Sequence, residues 1–311
     1  MKKYVVIFVT LLIFGLLLMF VPYYMNYNNS KRINETIKNY KNNSVDNSYL
    51  LKEADEYNKK LTNLDVVDSF IDEYFKAEDD YNKILNLDKD GMMGYIEIPK
   101  IGVKLPIYHT TNADVMEKGA GHQAGTSFPV GGKRTHAVIA AHRGLPSAKL
   151  FTDLGQMRKG DVFYIHILNK KLAYEVDKIK IVKPTDTSDI KLYKDKDLVT
   201  LISCTPYGIN THRLLVRGSR IPLTGDGEKV RRRISLVDSV FYGSIIIVLV
   251  LFGIFLRKVM KNKKKKSKRK KKKIDKPKKT IEKTEKTIEK VKKKVEVLED
   301  KKSVKDDDEI I

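Results

Sequence analysis

Two long apolar runs, one near each end of the chain, constrain it more than any other feature. Residues 4–21 are almost continuously apolar, broken only by Thr10 and Gly15, and residues 240–256 repeat the pattern with Ser244 and two glycines inside. At about 1.5 Å of rise per helical residue each run covers roughly 26 Å, close to the hydrocarbon thickness of a bilayer. Directly after the second run, residues 257–273 hold thirteen Lys or Arg and no acid, the pattern that keeps a flank on the cytoplasmic side. The first run follows Lys2 and Lys3 and also fits a signal peptide removed after export. Its length, and the absence of a small-x-small site in Pro22-Tyr23-Tyr24-Met25-Asn26, favour an anchor that stays. Two spans are expected, with both termini cytoplasmic and residues 26–239 outside the cell.

The net charge of +22 is not shared evenly: residues 26–239 carry 34 bases against 28 acids, so the excess sits in the tail. Beside an apolar span such a run is drawn to an anionic inner leaflet, each Lys or Arg contributing about 1 kcal/mol. Binding to the membrane is therefore expected and binding to nucleic acid is not. The boundaries that follow are an anchor or signal peptide over 1–25, a helical stalk and covering segment over 26–90, a catalytic domain over 91–222, a linker over 223–239, a span over 240–256 and a basic cytoplasmic tail over 257–311.

Within the exported part, the Asn- and Lys-rich residues 26–47 read as a stalk or a loosely helical segment. Leu50, Ala54, Tyr57 and Leu61 recur at helical spacing, and Tyr81, Ile84 and Leu85 mark a further short helix, closed by the turn Asp88-Lys89-Asp90-Gly91. From Gly94 the texture changes to short β-rich runs over 95–98, 103–108, 136–141, 161–166, 172–182 (read as two strands), 198–203 and 214–217. Seven or eight short strands with few helices predict a closed barrel or a sandwich. In the tail, Ile281, Thr284, Ile288, Val291, Val295 and Leu298 fit a and d heptad positions. The run is short for a coiled coil, and a solvated charged tail is the expectation.

The chain has a single cysteine, so an exported Cys204 has no internal disulfide partner and stays exposed to oxidation unless it has a use. It closes the apolar run Leu198-Val199-Thr200-Leu201-Ile202-Ser203 and precedes the turn residues Thr205-Pro206-Tyr207-Gly208, which places a thiol at a rim. The next strand opens at Arg213. If the two strands pair through their short connection, Arg213 lies beside the sulfur as a fixed donor for an oxyanion, the alternative being a surface salt bridge. Of six histidines, His142 ends the apolar strand Ala137-Val138-Ile139-Ala140-Ala141 and fits a general acid and base. His212, adjacent to Arg213, competes for that role, whereas His136 and His166 read as structural. The residues alone point to a cysteine–histidine enzyme, against a surface scaffold without catalysis or a hydrolytic protease.

At these positions the chain resembles a class C sortase, the pilin-polymerising branch of the Gram-positive surface transpeptidases. The likeness runs from about Val66 to Pro222. It rests on Gly94-Tyr95-Ile96-Glu97-Ile98-Pro99-Lys100-Ile101, on Phe128-Pro129-Val130-Gly131-Gly132 with His142-Arg143-Gly144-Leu145-Pro146, and on residues 200–218 holding Cys204 and Arg213. The resemblance implies a mostly β fold, an eight-stranded sortase-type barrel with short helices between two membrane helices. It also implies a Cys204, His142 and Arg213 site that needs no cofactor or metal. The implied chemistry is cleavage at the Thr–Gly bond of an LPXTG-like sorting signal and transfer to a pilin lysine. Partners would be pilin subunits or other LPXTG-type surface proteins, with a peptidoglycan amine as the alternative acceptor. Class C sortases also carry a lid with an Asp-Pro-aromatic motif. Here Asp68-Ser69-Phe70 keeps the acid and the aromatic residue but has serine for proline, which implies a cover that opens more readily.

Overall fold

Short β-branched and aromatic segments separated by Gly, Pro and Asn fill residues 92–221, and in the computed structural model they close on one another. The structure describes residues 2–43, 48–64, 66–70, 79–87, 89–145, 147–223 and 236–306. Eight strands form a closed barrel: β1 (Met92–Ile98), β2 (Val103–His109), β3 (Ala120–His122), β4 (Thr135–Ala140), β5 (Val162–Ile167), β6 (Lys170–Val182), β7 (Asp197–Thr205) and β8 (His212–Ile221). Their order around the barrel is β1-β2-β3-β4-β7-β8-β6-β5. The pairs β2–β3 and β4–β7 are parallel and the others antiparallel.

Two strands depart from the sequence expectation. Residues 172–182 belong to a single strand, β6, whose pairing to β8 shifts register between Val176 and Lys178. The bulge carries Asp177 out of the alternation, which is why the pattern reads as two strands. The unexpected strand is β3, three residues long. A Cβ on Gly121 would stand 2.2 Å from the Thr110 carbonyl oxygen, so only glycine lets the chains approach this closely there.

The wall formed by β4, β7 and β8 is apolar on both faces. Inward, Ala137, Ile139, Val199, Leu201, Leu214 and Val216 join the main core with Phe128, Phe151 and Phe163. The alternate residues Val138, Ala140, Ile202 and Leu215 face outward and form a second cluster with Met116, Val182 and Ile190. Strands buried on both sides lose the polar alternation, as their near-continuous apolar sequences show.

Three helical segments precede the barrel. Helix α1 (Lys2–Asn43) is continuous, and its C-terminal turns are no free stalk: Ile33, Ile37 and Tyr40 are buried in the barrel's core. The Tyr40 hydroxyl donates to the Met93 carbonyl at 2.7 Å and accepts the Leu168 N–H at 2.8 Å. Helix α2 (Ser48–Lys60) buries Leu50, Ala54 and Asn58, while Leu61 falls just beyond its end. Asn58 pairs with the backbone of Phe128 in both directions, Nδ2 donating to its carbonyl at 3.0 Å and Oδ1 accepting its N–H at 2.7 Å. Helix α3 (Asp79–Lys83) is held by Tyr81, whose ring stacks on Phe128 and whose hydroxyl meets His122 Nδ1 at 2.8 Å. Just after it, His109 contacts the Ile84 and Gly91 carbonyls through its two ring nitrogens, each at 2.7 Å. A fourth short helix, α4 (Ala113–Lys118), leads into β3.

The chain separates into two units, Met1–Ser239 and Val240–Ile311. The described part of the second belongs to α5 (Leu236–Asp306), so residues 236–239 of the expected linker are helical, and its residues 224–235 lie outside the described residues. The helix continues through the basic run and the tail. Asp88 of the expected turn, Pro146 and the closing acids at 307–309 also lie outside the described residues. Two helical stretches, Val9–Asn43 and Tyr242–Asn262, are long and apolar enough to cross a membrane, and large side chains such as Leu11, Leu17, Ile246 and Leu249 stand exposed on them.

Asn58 gives the N-terminal segment a direct test. Asn58→Ala leaves the buried Phe128 N–H without its partner, while the Phe128 carbonyl keeps the Val130 N–H, a loss of about 1–3 kcal/mol. Denaturant unfolding of the detergent-solubilised chain should show a lowered midpoint with an unchanged slope.

Candidate active site

Pairing between β7 and β8 sets Cys204 directly opposite Arg213, one step from the pair Thr205 and His212. Side chains alternate along a strand, so Cys204 and Arg213 share the outward face of Ile202 and Leu215. On the other side of β7 runs β4, parallel to it, with Ala140 level with Ile202 and the Ala141 N–H donating to the Ile202 carbonyl at 3.1 Å. Carrying that register two residues further brings His142 level with Cys204. The row His142, Cys204, Arg213 thus crosses three neighbouring strands, although 62 residues separate the first two in sequence. Loop bonds hold the His142 end in place: its carbonyl accepts the Phe151 N–H at 3.1 Å, and the Gly144 N–H donates to Thr152 Oγ1 at 3.1 Å.

The other histidines are placed elsewhere. His212 follows Thr205 in the register and so projects toward the face opposite Cys204, with its Nδ1 at 3.0 Å from Thr211 Oγ1. His136 is fully buried between the Lys191 carbonyl and the Thr200 hydroxyl, and burial pushes its pKa down to about 4. His166 stacks on Tyr95 with ring centroids 4.2 Å apart and faces Glu97.

Sequence places Cys204 at an exposed rim; in the structure it is 7% exposed, and β7 runs one residue beyond it. The difference lies in Leu64 and residues 66–70, which lie across the wall's outer face. Leu64, Val66 and Phe70 pack against the outer apolar cluster. The Phe70 ring lies 5.8 Å from the His142 ring and 4.9 Å from the Arg213 guanidinium carbon, touching the groups on either side of the cysteine. Asp68 receives Arg213 in a two-pronged pair, Nε to Oδ1 at 2.8 Å and Nη2 to Oδ2 at 2.6 Å. The remaining arm, Nη1, donates to the Asn210 and His212 carbonyls at 3.0 and 3.2 Å. Arg213 is therefore spent on the cover and on its own loop.

The charges follow from this closure. Burial raises the Cys204 thiol pKa above its ordinary value; Arg213 opposes the rise, Asp68 adds to it and Arg143 opposes it. With the cover in place the sulfur is held as the thiol, the unreactive form. Arg143 is the one group at this site that sequence reasoning passes over, because it stands in what reads as a turn after His142. Its Nη1 donates to Thr205 Oγ1 at 2.9 Å and to the Cys204 carbonyl at 3.5 Å, fixing the end of β7. Ser69, between Asp68 and Phe70, is 3% exposed, and its hydroxyl finds no partner among the described residues.

A thiol between an imidazole and a guanidinium has the parts that acyl transfer requires: a nucleophile, a proton carrier and a donor for developing negative charge. Comparison with known proteins gives this arrangement a family. Residues 96–221 match the Sortase domain model. A solved sortase C from Streptococcus pneumoniae is 43% identical, covers 62% of this chain and 100% of its own, and superposes with a TM-score of 0.57. Sortase C-1 from Actinomyces oris is 44% identical over 56% of this chain and 99% of its own, with a TM-score of 0.53. The curated Sortase D of Bacillus subtilis is 34% identical over 131 residues, a match spanning 41% of this chain and 63% of that protein's length. A closed eight-stranded barrel, an extended match to the family's domain and solved relatives covered end to end lead to one statement: this chain belongs to the sortase family, in the class C branch that its structural neighbours represent.

Proposed function

We propose that the chain is a membrane-anchored cysteine transpeptidase that cleaves an LPXTG-like sorting signal and joins it to a lysine amine of a pilin subunit. The observation that carries this reading is the row His142, Cys204, Arg213 at the ends of three adjacent strands, beside an outward apolar surface on which Leu64, Val66 and Phe70 pack. The Cys204 thiolate attacks the threonine carbonyl carbon of the signal, forming a C–S bond while Arg213 stabilises the oxyanion. The C–N bond to glycine then breaks, and His142 gives a proton to the departing amine. In the second half the lysine amine attacks the thioester, His142 takes up its proton, and sulfur leaves as thiolate. Support for a pilin acceptor comes from the similar Streptococcus pneumoniae sortase C, an enzyme with pilin substrate specificity. The two apolar helices and the basic run after the second support anchoring with both termini cytoplasmic and the barrel outside.

In this reading residues 66–70 are a lid that occupies the sorting-signal surface and withholds Arg213. Opening it exposes the thiol, removes the Asp68 charge and releases the guanidinium in one movement. Ser69 weakens the closed state in two ways. Its backbone lacks the restraint that proline supplies, worth about 0.4–1 kcal/mol. Its buried hydroxyl has no partner among the described residues, and a hydroxyl buried in that way costs about 1–3 kcal/mol.

Incubating the chain with a sorting-signal peptide should leave an acyl adduct on Cys204, seen by mass spectrometry and resolved by added amine. Cys204→Ala must abolish it, and an adduct persisting without the sulfur would end the transpeptidase reading. For the lid, Asp68→Ala should speed thiol alkylation of Cys204 about tenfold or more, since a charge-assisted pair of this kind contributes about 1.5–3 kcal/mol. Its alkylation profile should also move to lower pH, because removing the carboxylate and the burial takes away two causes of the raised thiol pKa. Ser69→Ala should slow alkylation about fivefold or more, and Ser69→Pro about two- to fivefold further, since proline removes the hydroxyl and adds its own restraint. Unchanged or faster labelling in both would remove Ser69 from the account.

A further inference from the structure

The tail of α5 carries an apolar seam that nothing in the catalytic reading uses. Ile281, Ile288 and Val295 fall at a positions, and Thr284, Val291 and Leu298 at d positions of a seven-residue repeat. Helix α5 runs unbroken through this repeat. Ile281, Ile288, Val291 and Val295 are 47–58% exposed, unusually open for four large β-branched side chains on one face. The helix's own ion pairs stand away from the seam: Lys286 to Glu282 at 3.2 Å and Lys293 to Glu289 at 3.9 Å occupy b and f positions. Thr284, the polar member of the seam, spends its hydroxyl on the Thr280 carbonyl at 2.8 Å. Burying the seam would therefore leave no orphaned hydrogen bond there.

We infer that this seam is an interface with a second copy of the chain, a parallel two-stranded coiled coil over residues 281–298. The occupant follows from three features. A narrow stripe at a and d, with Val297 at c the one apolar residue of 281–298 outside it, matches another helix; a helix lying on lipid needs a wide apolar face instead. Counted along the sequence in a parallel register, the g position at 294 is a lysine and its e counterpart at 299 a glutamate. The g and e positions at 280 and 285 and at 287 and 292 match a threonine with one charge each, so no like charges are matched across the seam. Orientation rests on the proposed membrane span: α5 is continuous from Tyr242–Asn262 to the tail, so two copies in one membrane leave it in the same direction. Two and a half heptads are marginal for free helices in water. Tethering both copies to one membrane turns their meeting into an encounter at high effective concentration, which can make so short a seam sufficient.

Since Cys204 is the only cysteine, Cys204→Ala gives a full-length chain without thiols, into which single cysteines can be placed. In membranes from cells making these chains, copper-catalysed oxidation of Ile281→Cys should give about fivefold more disulfide dimer than Lys283→Cys, which stands at a c position at nearly the same depth. Ile281 meets its own counterpart only in a parallel, in-register pair. Adding Ile288→Asp to the Ile281→Cys chain should bring the yield down to that of Lys283→Cys. Equal yields at the two positions, or a yield indifferent to Ile288→Asp, would overturn the coiled coil. So would dimer formation by Ile281→Cys only when mixed with Leu298→Cys, the mark of antiparallel pairing. Sedimentation of the chain with the membrane reports the span separately: cross-linking kept without sedimentation upholds the coil and removes the anchor.

Discussion

A barrel wall that is apolar on both faces cannot be left bare in water. Along β4, β7 and β8 the inward residues fill the core, and Val138, Ala140, Ile202 and Leu215 give the outward face an apolar surface of its own. At about 25 cal/mol for each Å² withdrawn from water, whatever covers that surface is held there by burial before any specific contact is counted. Leu64, Val66 and Phe70 provide the cover within the chain. A substrate segment with apolar side chains would be drawn to the same place for the same reason. In the proposed reading closure and recognition thus draw on one driving force, with Cys204 and Arg213 at the end of the surface for which the two would compete.

Electrostatics tie the competition to reactivity. The carboxylate of Asp68 neutralises Arg213 and lies near enough to Cys204 to favour its protonated form, as does the burial that Phe70 completes. An inactive thiol and an occupied guanidinium are two consequences of one docked segment. A displaced cover would restore both partners together, with no separate step to charge the sulfur. The contribution of Arg143 is of another kind. Bound to Thr205 and to the Cys204 carbonyl, it holds the end of β7 and keeps a positive charge by the sulfur whether or not the cover is docked.

Much of this is legible in the sequence, for identifiable reasons. Turn residues after Cys204 and the nearby restart at Arg213 force two neighbouring strands, and their register follows from the short connection. Where local pattern fails, a tertiary contact has intervened. The three residues of β3 hold no alternation to detect, and the strand exists because glycine lets two chains approach closely. The bulge at Asp177 breaks the period of β6, so one strand reads as two. Ile33, Ile37 and Tyr40 have helical spacing, but they lie among Asn and Lys, and only the barrel surface they dock on makes them core. For the site, sequence supplies Cys204, His142, Arg213, Asp68 and Phe70 but not the burial of the cysteine, which depends on a segment well over a hundred residues upstream. That Ser69 stands where class C sortases carry a proline follows from the resemblance; that its hydroxyl is buried with no partner among the described residues does not.

The anchoring of the segments around the cover explains why one serine can matter. Upstream, Asn58 clamps α2 to the Phe128 backbone, and downstream, Tyr81 and His109 fasten α3 and the turn after it to β3 and β2. With both flanks fixed to the barrel, opening in the proposed reading would release residues 66–70 and leave the helices and the core intact. The free energy separating closed from open is then the sum of a few local terms: one two-pronged ion pair, three apolar side chains on the wall and the conformational freedom of a short stretch. Against a balance of that size a difference of about 1 kcal/mol at a single residue changes the open population several-fold, whereas in the barrel wall it would alter only the margin of stability. Control of access is in this way concentrated in the residues whose changes cost the fold least.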